Sequence, residues 1–208
     1  YIIDPGRTGN NTDYLPLSKG NQPPQYHNPT INYPSIYSPT TKTIFNITWK
    51  NITDQIDKVF LEINLTGSFV NYTIQPTTIY AENTSYGFEM VLPAGTFAYR
   101  FLANTTANLW NQTNYNIITI QKATPSISLL LNDEASNKTI TWLDSLTIKA
   151  SESNYGDDDV SYCLYNSTSL IGCGSSFLIA YSNKSFANGT YVFVYNTTGG
   201  ANWTSAQS

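Results

Sequence analysis

Few residues in this 208-residue chain belong to the types that activate nucleophiles or hold transition metals: one histidine, His27, and two cysteines, Cys163 and Cys173. Ser-His-Asp and Cys-His sites need a histidine beside the nucleophile, and metal clusters need several ligands at set spacing. His27 lies in a Pro-, Gly- and Asn-rich N-terminal stretch, far in sequence from both cysteines. The carboxylates offer little more. Asp157-Asp158-Asp159 could ligate Ca²⁺, but such a run reads more simply as a solvated loop ahead of a strand. Glu62, Glu82 and Glu89 could include a glycosidase-type pair, yet their scatter reads as surface. Lys50 or Lys149 could enter an internal isopeptide bond, though sequence does not place them in a core. No catalysis, metal or cofactor is expected.

Cys163 and Cys173 sit symmetrically about Thr168, in the middle of a polar Asn-Ser-Thr-Ser turn. In an antiparallel hairpin that spacing sets them directly opposite, within disulfide reach. A bridge closing so short a loop stabilises by about 2–3 kcal/mol in the chain-entropy model.

The remaining chemistry belongs to asparagine. The acceptor pattern N-x-S/T occurs at Asn10, Asn46, Asn51, Asn64, Asn71, Asn83, Asn104, Asn111, Asn137, Asn166, Asn183, Asn188, Asn196 and Asn202. That is 14 of 23 asparagines, where the Ser and Thr content predicts about 5 by chance. Charged residues are only 12% of the chain and the net charge is −4, so another hydrating layer is called for. N-linked glycans would supply it, placing the protein outside the cell. Nothing basic is concentrated, which argues against nucleic acid. No run of about 20 apolar residues exists to span a membrane. The chain begins at Tyr1 without a signal peptide, which reads as a mature form.

The elements that carry these residues are strands. Short β-rich runs at near-regular spacing, broken by Pro-Ala-Gly and Asn-Gly, predict an all-β fold of two β-sandwich domains. Residues 1–29 form an extended tail, 30–123 the first sandwich and 124–208 the second. Expected strands include Thr30–Tyr37, Lys42–Lys50, Asp57–Asn64 and Thr96–Asn104, then Lys138–Thr141, Asp144–Ser151, Ser169–Cys173 and Gly189–Tyr195. No stretch carries helical periodicity. Trp49, Trp110, Trp142 and Trp203 could form a sugar-binding platform, but large aromatics in sandwiches usually fill the core.

The two domains end alike. Gly95-Thr96-Phe97 matches Gly189-Thr190-Tyr191, Asn104-Thr105-Thr106 matches Asn196-Thr197-Thr198, and Trp110 matches Trp203. The first copy then runs on through the alternating segment Tyr115–Lys122, whereas the second stops five residues after Trp203. The expectation is a second sandwich lacking its last strand, with an edge open to strand addition.

The segments LPAGTFAYRFLANTTANLWNQT and NGTYVFVYNTTGGANWTSA resemble the ends of Ig-like or fibronectin-like domains common in archaeal surface proteins. Tail, tandem domains and dense acceptor sites together are similar to the subunit of the archaeal thread pilus, a filament of thermoacidophilic archaea. That resemblance implies identical subunits joined by donor-strand complementation. It makes Ile2, Ile3, Tyr14, Leu15 and Leu17 candidate donor anchors, and Tyr191, Phe193 and Tyr195 the candidate groove. It implies a cell-surface filament serving adhesion or biofilm scaffolding. The competing expectation is a monomeric glycosylated adhesin or carbohydrate-binding module.

Overall fold

The computed structural model describes residues 20–79, 83–153 and 158–208. Tail residues 1–19, which hold Asn10 and every candidate donor anchor, lie outside the described residues.

Nine strands build the first sandwich: β1 (Gln25–Asn32), β2 (Thr43–Lys50), β3 (Ile56–Ile63), β4 (Val70–Thr73), β5 (Gln75–Ile79), β6 (Asn83–Met90), β7 (Gly95–Thr105), β8 (Trp110–Gln112) and β9 (Asn116–Ile120). One sheet runs β1-β2-β6-β5 and the other β4-β3-β7-β8, with β9 also paired to β7. Period-2 alternation decides which way each strand faces. Phe45, Ile47 and Trp49 of β2 meet Val59, Leu61 and Ile63 of β3 and Phe97, Tyr99 and Phe101 of β7 in one buried core. Intervening residues such as Asn46 and Lys58 point to solvent.

The first strand begins at Gln25, earlier than the expected Thr30. Residues 25–29, expected in the extended tail, join the strand through a bulge between His27 and Thr30, with Asn28 at φ 47°. Tyr26, ahead of the bulge, packs edge-on against Trp49.

Seven strands build the second sandwich: β10 (Ile127–Leu131), β11 (Ser145–Glu152), β12 (Tyr162–Asn166), β13 (Ser169–Cys173), β14 (Ser176–Ser182), β15 (Phe193–Thr197) and β16 (Ala206–Gln207). The sheets run β10-β11-β14 and β13-β12-β15-β16. The same sequence of pairings appears in both halves: β1, β2, β3, β4 and β7 correspond to β10, β11, β12, β13 and β15. This is the immunoglobulin- and fibronectin-type order of two packed antiparallel sheets. Cys163 and Cys173 stand opposite each other across β12 and β13 and form the disulfide.

A joint connects the halves at the turn before β16. Gly199, at φ 81°, makes this turn so tight that a Cβ there would lie 2.5 Å from the Trp203 carbonyl oxygen. Asp159 accepts the Ala201 N–H at 2.6 Å. The chain then crosses to the first sandwich. Asn202 Oδ1 accepts the Ala94 N–H at 2.8 Å, the Ala123 N–H donates to the Asn202 carbonyl at 3.0 Å, and the Thr204 N–H donates to the Ala123 carbonyl at 2.8 Å. Trp203 is 8% exposed and belongs to the first sandwich's core, edge-on to Tyr37 at 5.8 Å. Its sequence match, Trp110, does something else: it is 49% exposed and stacks on Phe60.

Candidate functional site: an open groove in the second sandwich

The first sandwich shows what a completed edge looks like. Along β7, Leu102–Asn104 pair with β8 and Gly95–Tyr99 with β9. Ile118 and Ile120 of β9 are buried against the core. The far edge of this last strand is also satisfied: the Gln121 N–H donates to the Ser35 carbonyl and the Tyr37 N–H to the Gln121 carbonyl. The closing strand thus lies between β7 and residues 35–37.

In the second sandwich the corresponding position along β15 holds the short strand β16. Thr197 pairs with Ala206 and Asn196 with Gln207, and Tyr195 and Ser208 exchange both backbone hydrogen bonds. Strand alternation fixes where the next groups point. The Val192 carbonyl accepts from Ser167 on the β12 side, and Val194 pairs with Tyr165 there. The Phe193 N–H and C=O therefore face away from β12, on the edge that β16 occupies further along.

Beyond Ser208 this edge borders a groove of about 830 Å³. Leu129 and Leu131 of β10, Ile140, Phe186, Tyr191 and Phe193 line it. Phe186 ties the wall together, with rings at 4.6 Å from Tyr191 and 4.8 Å from Tyr181. The opposite rim is the segment 138–142. It was expected as a strand from its Thr-Ile-Thr alternation, and it is not one: Asp144 captures both the N–H and the hydroxyl of Thr141, and Leu143 turns the chain at φ 91°. Trp142 stands 70% exposed at this rim.

Polar residues share the lining with these apolar side chains, Asn137, Thr139, Asn188 and Thr190 among them, and the charges are at the margin. Glu134 and Lys138, four residues apart, form an ion pair; hydrogen bonding and charge from Lys138 hold the Glu134 carboxyl below its ordinary value. Tyr195, two residues along β15 from Phe193, is fully buried in the second core and donates to the Ser175 carbonyl at 2.9 Å. Burial, with the Glu152 charge adding, pushes its phenol up to about 12.

Of the sequence-named groove residues, Phe193 and Tyr191 line the opening, whereas Tyr195 does not line it and is buried in the second core. Sequence reasoning placed Ile140 in the expected strand Lys138–Thr141 and Trp142 among the aromatics of a possible sugar platform, and named neither as a rim residue. The acceptor asparagines divide. Asn46, Asn71, Asn137 and Asn188 are exposed, and Asn51, Asn64, Asn83, Asn111, Asn166, Asn196 and Asn202 are half-buried. Asn111 Nδ2 donates to the Pro24 carbonyl at 2.7 Å. Asn104 is 5% exposed; its Oδ1 accepts the Lys58 N–H at 3.0 Å and its Nδ2 points to Asp57. As it stands, Asn104 has no room for a sugar on that nitrogen. Lys149 faces Asp133 at 3.7 Å as a half-exposed surface pair, not a core lysine.

Among the described residues no three His, Cys, Asp or Glu side chains gather as a metal site, and no helix is long and apolar enough to cross a membrane. The chain matches no family profile and no curated protein. Among solved structures, the fibronectin(III)-like modules of Clostridium thermocellum CbhA align over 86% of this chain and 90% of theirs, at 11% identity and a TM-score of 0.30. A likeness that loose leaves the fold to be read from the chain's own sheets, which are those of a tandem β-sandwich protein stapled by one disulfide.

Proposed function

We propose that this protein is the structural subunit of an extracellular filament, in which the groove of one copy receives an extended segment from the N-terminal tail of the next. The observation that carries this reading is the β15 edge at Phe193, whose backbone groups face away from β12 beside a groove lined in part by Leu129, Leu131, Ile140 and Phe186. An inserted strand supplies ladder hydrogen bonds to the edge and alternate apolar anchors to the wall.

The positions of tail and groove support a head-to-tail arrangement. The tail leaves the first sandwich near Thr53, whose hydroxyl accepts the Gln22 N–H at 3.0 Å. That is the Thr105 end of β7, since the Thr106 N–H donates to Gln55 nearby. The joint is at the other end, beside Ala94. In the second sandwich Thr197 is near the joint and Phe193 is remote from it. The point where the described chain begins and the groove therefore lie at opposite ends, and a contact between unlike surfaces at opposite ends propagates without closing.

On this reading glycans on exposed asparagines hydrate a surface poor in charge, and the filament serves adhesion or biofilm scaffolding. No catalysis is assigned. The test is electron microscopy of the full chain beside a chain lacking residues 1–19. Filaments from the first and monomers from the second are expected. Filaments from both place the contact elsewhere. Monomers from both favour a single-copy surface module.

A further inference from the structure

The outer face of the β4-β3-β7-β8 sheet carries aromatic side chains that the core does not use. We propose that this face seats one of the chain's own sugars: a glycan on Asn71 lies against the rings of Phe69 and Tyr115 and stabilises the edge of the first sandwich. The inference rests on the glycan part of the reading above, not on the filament, and adds where one sugar sits and what it does there.

Register places the attachment point. Leu61 and Ile63 of β3 are buried, so Phe60 and Glu62 face outward. Glu62 pairs with Asn71 on one side and with Arg100 on the other, so the three side chains stand in one row on the outer face. Phe69, two residues before Asn71, falls on the same face by the strand period, about 7 Å along the chain. Asn71 heads the acceptor triplet Asn71-Tyr72-Thr73 and is exposed. It lies on β4, an edge strand of four residues. Asn64, Asn104 and Asn111 spend their side chains on internal hydrogen bonds; among the described residues Asn71 does not.

The rings beside it are held in place. The Tyr115 hydroxyl donates to Glu62 at 2.8 Å, and the Arg100 guanidinium, itself paired with Glu62, lies 4.4 Å from the Tyr115 ring centre. The Phe69 ring is 4.9 Å from that of Tyr115 and tilted by 36°. Yet Phe69 is 47% exposed and Tyr115 46%. Two positioned rings, half open to water beside an acceptor asparagine, suit a cover that is apolar on one side and hydrated on the other. A pyranose ring has that form: its C–H face packs on an aromatic ring while its hydroxyls stay in water. Rings already ordered by Glu62 and Arg100 cost little further entropy on contact.

The other exposed acceptors lack this arrangement. Asn46 follows Ile44, not an aromatic residue, by two positions and pairs with Gly87. Asn188 follows Phe186 by two positions, but that ring is taken up by Tyr181 and Tyr191.

The experiment uses glycosylated full-length protein and a cycle of two substitutions, with occupancy of Asn71 checked by mass spectrometry in each variant. Asn71→Gln removes the sugar; Phe69→Leu removes the aromatic face and keeps apolar bulk, with Tyr115→Leu in its place should Phe69→Leu not fold. Asn71→Gln alone should lower the urea midpoint of the first sandwich and speed amide exchange in β4 several-fold. In the Phe69→Leu background the same change should do neither. Asn46→Gln should shift neither background. Protons of the sugar ring attached to Asn71 should resonate upfield in wild type and lose that shift in Phe69→Leu. A sugar on Asn71 whose removal has the same effect in both backgrounds overturns the docking and leaves the glycan reading intact. A bare Asn71 in protein that carries sugar elsewhere does the same; a dimer or a bound chitotriose that depends on Phe69 would then give the face to a second copy or to a foreign sugar. Protein without sugar at any acceptor site overturns the inference and the glycan reading together.

Discussion

Trp203→Ala is the sharpest test of the joint between the sandwiches, because the side chain belongs to one half by sequence and to the other by packing. Trp203 is 8% exposed. Burial of an indole of about 250 Å² at about 25 cal/mol per Å² gives an upper bound of about 6 kcal/mol, and truncations of buried Trp or Phe cost about 3–5 kcal/mol. One term works the other way: the Trp203 Nε1–H is buried without a hydrogen-bond partner, a penalty of about 1–3 kcal/mol. The two effects separate on substitution. Trp203→Ala should destabilise the first sandwich by about 3 kcal/mol. Trp203→Phe retains an edge-on ring against Tyr37, removes the orphan donor and should stay within about 1 kcal/mol of wild type.

The assay is urea unfolding followed by far-ultraviolet circular dichroism, with amide exchange at Ala123 and Thr204 as a local probe. In Trp203→Ala the first sandwich should unfold at lower urea and those two amides should lose protection. A cost below about 1 kcal/mol for Trp203→Ala, the range of ordinary surface changes, would refute the seating of Trp203 in the first core. A Trp203→Phe penalty equal to that of Ala would show that the indole N–H finds a partner.

Reduction of Cys163–Cys173 opens a loop of sequence separation 10; it should cost the second sandwich about 2–3 kcal/mol and leave the first unchanged, read as two separate transitions on heating with and without reductant. Glu62 gives a pH signature. Burial raises its carboxyl, but hydrogen bonds from Arg100 and Tyr115 and the Arg100 charge outweigh that and hold it below its ordinary 4.5. A depressed carboxyl contributes stability that is present above the unfolded value and lost as pH falls through the folded one. Stability should therefore drop on acidification below about 4.5, and Glu62→Gln should flatten that drop; an unchanged slope in the variant would sink the assignment. Site mapping by mass spectrometry should find sugar at exposed Asn46, Asn71, Asn137 or Asn188 and none at Asn104; an occupied Asn104 would mean that its buried contacts to Lys58 and Asp57 are not those of the mature protein.

Much of the fold was legible because inward and outward residues alternate so plainly. The strand Thr43–Lys50 could be read from Phe45, Ile47 and Trp49, and the disulfide from two cysteines spaced evenly about a polar turn. What was not legible depended on long-range geometry. Trp110 and Trp203 match in sequence but not in place. Trp110 pairs with Asn104 six residues before it, while Asn196 pairs with Gln207 eleven residues after it. The longer connection leaves the second sandwich, seats its tryptophan in the first, and returns. No local pattern announces such a detour. The Asn28-Pro29 bulge and the Thr139–Thr141 rim failed for the opposite reason: local signals there were clear, and a bulge in one case and capture by Asp144 in the other overrode them.

The groove raises a problem that its surroundings answer. An open β edge beside exposed apolar side chains invites indiscriminate pairing between copies, and a chain with 12% charged residues has little repulsion to prevent it. Lys138 and the bend at Leu143 spoil one rim as a flat pairing surface. Asn137 and Asn188, both exposed, stand on the groove's lining. Glycans at these two positions would crowd the approach of a second folded edge. On the proposed reading the sugars are therefore more than a hydrating coat. They would help a receptive edge remain selective for a tail.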